Sequence, residues 1–162
     1  MVWYASLFYL LLWGLIGCVI FFIMVVIFFR TGLVYTARKS DGTLKDEIPF
    51  GGKLAMMIIP FSYAFFQLFS NYMGLVQEGI FLSFGYLFTL NYSLYLILFV
   101  FDTFFIDSFV LTSWRPAFLH LPNEMGKESM KKHVLISIPI GLLIGVILTF
   151  LNTTVSYILW MN

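Results

Sequence analysis

The amino-acid sequence predicts an all-α integral membrane protein, a single domain built as a bundle of about four transmembrane helices. Three observations carry that expectation. Hydrophobic residues fill 61% of the 162 positions and charged residues 10%, against about 45 to 50% and about 25% in soluble domains. The charges cluster, leaving four apolar stretches that each supply the roughly 20 residues needed to cross a hydrocarbon layer about 30 Å thick. The spacing near 3.6 residues by which soluble helices keep one polar face is missing.

The first helix is expected over 3–29, ending at Arg30. No Lys or Arg precedes Arg30, so the run lacks the basic start of a secretory signal and is expected to stay in the mature protein. Residues 30–53 carry five basic residues and three acidic ones around Ser40-Asp41-Gly42 and read as a loop. The second helix is expected over 54–76, with Pro60 near its start and Gln67, Ser70 and Asn71 toward its end. Gln77-Glu78-Gly79 is a short connection. The third helix is expected over 84–113 as one long tilted span with Asp102 and Asp107 in its last third. Residues 115–133 form a second polar connection, and the last helix is expected over 134–160.

Every Lys and Arg falls in the first or third connection, five in one and four in the other. The positive-inside rule then places 30–53 and 115–133 in the cytoplasm and both termini on the non-cytoplasmic side of the cell membrane. Trp3, Tyr4, Trp114, Tyr157 and Trp160 sit near run ends, where interfacial anchors belong.

Carboxylates at bilayer depth cost about 2.5 to 3.5 kcal/mol on insertion scales, so Asp102 and Asp107 draw attention first. At 100° per residue, Asn91, Tyr95 and Asp102 fall within about 40° of each other and form one polar stripe facing the bundle interior. The two aspartates fall about 140° apart, which disfavours a close carboxylate pair. Asp102 either handles a proton, cation or polar substrate group within the bundle, or anchors the helix at the interface by pairing with Arg115 or another basic residue.

Ser137, Gly141, Gly145 and Thr149 recur at intervals of four in the last helix, and the two glycines form GxxxG. Small side chains let helix backbones approach, so this face should pack on another helix, within the chain or in a protein partner or second copy. His120 and His133 are thirteen positions apart with no HxxxH spacing, so no metal site is expected. No phosphate-binding, nucleophile or dinucleotide motif is present and no cofactor is expected. One cysteine, Cys18, excludes an intrachain disulfide. The formal charge of +1 gives nucleic acid no footing as a partner. Asn91-Tyr92-Ser93 and Asn152-Thr153-Thr154 match the glycosylation pattern but fall in or near the apolar runs and are read as unmodified.

The segment Phe101-Asp102-Thr103-Phe104-Phe105-Ile106-Asp107, followed by Arg115-Pro116, Leu121-Pro122-Asn123-Glu124 and His133, resembles a family of small uncharacterised four-span membrane proteins of Gram-positive bacteria. Members carry two aspartates separated by four apolar residues late in the third span, a basic residue, a Pro-Gly-Thr-Glu-like turn, and a histidine before a glycine-containing last span. Pro122-Asn123-Glu124 departs from that turn. The likeness covers about 91–145 and implies interest in Asp102, Asp107, Glu124 and His133 without naming a reaction.

Three functional classes follow. The favoured one is a non-enzymatic accessory or interaction protein of the membrane. The others are a small proton- or cation-coupled transporter or channel using Asp102, and a membrane-embedded enzyme acting on a lipid or quinone, with His120, Glu124, His133 and the aspartates Asp102 and Asp107 gathered at the cytoplasmic interface, where Arg115 is a further loop candidate.

Overall fold

The computed structural model describes residues 2–33, 46–119, 121 and 127–161, and for residues 2, 3, 55, 127–134, 136 and 137 their backbone alone. The described residues form helices and connections, with no strand among them. Helix α1 is Val2–Arg30. Helix α2 is Phe50–Asn71, continued by a π-wound turn at Tyr72–Val76. Helix α3 is Phe84–Val100, continued by a π-wound segment at Phe101–Trp114. Helix α4 is Lys127–Ser156, ending in a π-wound turn at Tyr157–Met161. Each contains a stretch long and apolar enough to cross a membrane.

Two helix starts differ from the sequence expectation. Helix α2 begins at Phe50, where extended Pro49 serves as N-cap, rather than at 54. Helix α4 begins at Lys127, so the polar run Lys127 to His133 is helical rather than part of the connection. Hydropathy marks where a chain can sit in oil, whereas Lys, Glu and Met are good helix formers whatever their solvent. The α2–α3 connection turns at Gly79, whose φ of +68° suits a residue without Cβ. Helix α3 stops at Arg115 (φ +47°), whose left-handed backbone directs its N–H to the Val110 carbonyl before Pro116.

The helices run up and down in turn. Tyr9 near the start of α1 and Ser156 near the end of α4 both bond to Asn71 at the end of α2, so both termini are at one end, here called the terminal end. Helix α3 packs most extensively on α4 and then α1, while α2 leans on α4 and touches α1 sparingly. Two apolar cores result. Tyr9, Phe66, Leu75, Leu82, Leu87, Leu90, Leu94 and Leu98 fill the terminal half. Phe29, Ile106, Val110, Leu111 and Leu119 fill the opposite end.

The small-residue face of α4 is used inside the chain. A Cβ on Gly141 would overlap the Phe99 ring, and one on Gly145 would overlap the Tyr95 ring. Tyr95 Oη donates to the Gly141 carbonyl at 2.7 Å. Thr149 and Thr153, further along the same face, are fully buried.

Candidate functional site

In the terminal half, polar side chains from all four helices bond to one another in a layer. Gln67, Ser70 and Asn71 project from one face of α2, at the spacing that brings residues three and four apart together. Gln67 Nε2 donates to the Asn91 carbonyl at 3.0 Å, and Gln67 Oε1 accepts from Asn152 Nδ2 at 2.9 Å. Asn91 Nδ2 donates to Thr153 Oγ1 at 3.1 Å, and Asn71 Nδ2 to Ser156 Oγ at 2.9 Å. Tyr9 Oη donates to Asn71 Oδ1 at 2.9 Å and lies 2.9 Å from Ser70 Oγ. Ser6 and Tyr86 meet at 2.9 Å nearer the termini. Gln67, Ser70, Asn71, Asn91, Thr153 and Ser156 are all fully buried. Asn91 and Asn152 are thus both held in the interior by hydrogen bonds.

One turn below this layer the side-chain bonding between α2 and α4 stops. Tyr63 is four residues before Gln67, and Thr149 four before Thr153. Their hydroxyls interact across α2 and α4, yet neither completes a hydrogen bond of good distance and angle, and Asn91 Oδ1 is likewise without one. Buried polar atoms are nearly always paired, so this boundary between bonded layer and open space is unusual.

The open space is a cavity of about 390 Å³ where the two apolar cores meet. Helix α1 contributes Gly17, Ile20, Phe21 and Met24; α2 contributes Met56, Ile59, Pro60, Ser62, Tyr63 and Phe66. Helix α3 adds Tyr95, Leu98, Phe99 and Asp102, and α4 adds Ile144 and Leu148. Gly17 lets Leu98 and Phe66 approach α1 beside it: a Cβ there would come within 2.8 Å of Leu98 and 2.9 Å of Phe66. Pro60 bears on it too, because proline has no N–H to give the carbonyl four residues back, that of Met56. Tyr63 and Tyr95 meet edge to face at 5.2 Å. The mouth is lateral: Ile20, Met56, Ile59 and Ile144 line the cavity and are also exposed on the apolar flank.

The winding of α3 alters the relation between the aspartates. In the π-wound segment, Ser108, Thr112 and Ser113 return their hydroxyls to the carbonyls of Thr103, Asp107 and Ser108, each five residues back. A helix bonded from i to i+5 turns less per residue than an α-helix, which brings residues five apart toward one face. Asp102 and Asp107 therefore lie on neighbouring faces of the segment. The separation of 140° expected from α-helical geometry does not hold.

Of the residues singled out from sequence, Asn91 enters the polar layer, and Tyr95 and Asp102 line the cavity. Asp107 lies further along the π-wound segment, and Arg115 caps α3. Gly141, Gly145 and Thr149 pack inward. His120 and Glu124, with the side chains of His133 and Ser137, lie outside the described residues. Among the described residues no cluster of His, Cys, Asp and Glu could hold a metal ion. Tyr9, Asn152, Ser156 and Tyr63 were not expected as site residues. Their signal is polar side chains at helical spacing in apolar runs, one turn apart on α2 and on α4.

Comparison with protein-family models, with curated proteins and with solved structures returns no match for this chain.

Proposed function

We propose that this is a four-span membrane protein with both termini non-cytoplasmic and residues 30–53 and 115–133 in the cytoplasm, acting as a non-enzymatic accessory protein that takes an apolar molecule from the bilayer into the cavity. The cavity carries this reading. Its size and its apolar and aromatic walls with few polar groups match ligand sites in general, and its mouth lies among side chains that face lipid. The bonded layer around Gln67 stands between the cavity and the terminal end, which favours retention over passage across the membrane. The resemblance in the third span adds interest in Asp102, which borders the same cavity.

Photolabelling tests the reading. The full chain in phosphatidylcholine nanodiscs is irradiated with a long-chain alcohol bearing a diazirine, and labelled residues are located by mass spectrometry. Half-buried Met24 and Phe99 should label, and Ser62→Trp, which fills the cavity from α2, should remove that label. Lipid-facing Leu11 and Phe61 should label equally in both proteins. Labelling of Met24 and Phe99 that Ser62→Trp leaves unchanged would refute the cavity as a ligand site.

A further inference from the structure

Resting on the reading of the cavity as a ligand site, we infer that its occupant is a lipophilic cation, with Asp102 as counter-ion. The argument is one of sign. Among the described residues Asp102 contributes the one formally charged group to the lining. Tyr95 has committed its hydroxyl proton to the Gly141 carbonyl, so it offers the cavity a ring rather than a donor.

The walls agree with the lining charge. Five of the side chains around the space are aromatic, and the face of an aromatic ring attracts a cation within about 6 Å. A carboxyl group in such surroundings either stays protonated or is ionised against an opposite charge, and a bound cation favours the ionised form. Among the described lining residues an anion would meet that carboxyl and ring faces, with the Tyr63 hydroxyl as a neutral donor and no cationic side chain. A neutral molecule would fill the volume without drawing on the carboxylate. The chemistry selects an apolar body carrying a positive centre, drawn from the lipid phase through the lateral mouth.

The experiment uses two ions of one shape and opposite sign, tetraphenylphosphonium and tetraphenylborate, titrated into nanodiscs holding the full chain, with empty nanodiscs subtracted. The phosphonium should bind saturably at about one per chain. Asp102→Asn should weaken that binding roughly thirtyfold or more, while Asp102→Glu, which keeps the charge, should retain most of it. The borate should bind the native protein weakly. Equal binding of both ions, or phosphonium binding unchanged in Asp102→Asn, overturns the cation assignment. So does absence of saturable phosphonium binding while cavity photolabelling persists. Loss of photolabelling in the native protein instead removes the underlying ligand-site reading, so the two failures are distinguishable.

Discussion

Gln67 is the position at which the strength of the polar layer can be measured. Its amide is fully buried and makes two interhelical bonds, one to the Asn91 carbonyl on α3 and one from Asn152 on α4. Hydrogen bonds between helices in a membrane average about 0.6 kcal/mol and reach about 1.7. Gln67→Met keeps the length of the side chain and removes both, so it should destabilise the bundle by roughly 1 to 3 kcal/mol. Asn152→Leu removes one of the same two. In the double variant the Gln67–Asn152 bond is lost once, so the combined effect should fall short of the sum by about 0.6 to 1.7 kcal/mol. Unfolding in mixed micelles, titrated with a denaturing detergent and followed by the fluorescence of Trp13, which packs edge-on against Phe66 and Phe69, reads all four proteins on one scale. Additivity within about 0.3 kcal/mol would mean that this bond contributes nothing net, and the account of the layer as the clasp of the bundle would be wrong.

Three further outcomes are expected. Gly145→Val should cost about 1 to 3 kcal/mol by forcing Tyr95 off α4, and the same detergent titration measures it. In a Cys18→Ser background, a cysteine replacing exposed Glu78 should react with a membrane-impermeant maleimide on intact cells, whereas one replacing exposed Glu47 should react only after permeabilisation; the reverse pattern would invert the topology. Pro60→Ala restores the helical N–H that proline lacks inside α2 and should raise resistance in the detergent titration.

The four apolar helices were legible because length and apolarity are properties of the chain itself: charge is costly in oil, so Arg30 and Arg115 mark ends that hydropathy can see. Lys127 could not be seen in that way, since a helix need not stop where its apolar side chains do. The inward use of Gly141 and Gly145 was open to inference as a face, but their occupants, the rings of Phe99 and Tyr95, depend on the relative rotation of two helices. Gln67, Ser70 and Asn71 stood out as polar residues in an apolar run, while their partners were set by tertiary register. The aspartates show the strongest dependence on local geometry. Five residues give opposite faces in an α-helix and neighbouring faces in a π-helix, and nothing in Phe101–Trp114 announces which winding prevails.

The mouth among Ile20, Met56, Ile59 and Ile144 has a consequence for dosage. On the proposed reading, a molecule that arrives sideways would not be sampled from water, so the quantity the site would sense is how much of a compound has dissolved in the surrounding lipid. Two ligands with equal affinity for the walls would then act at very different bulk doses, ranked by how readily each one leaves the aqueous phase.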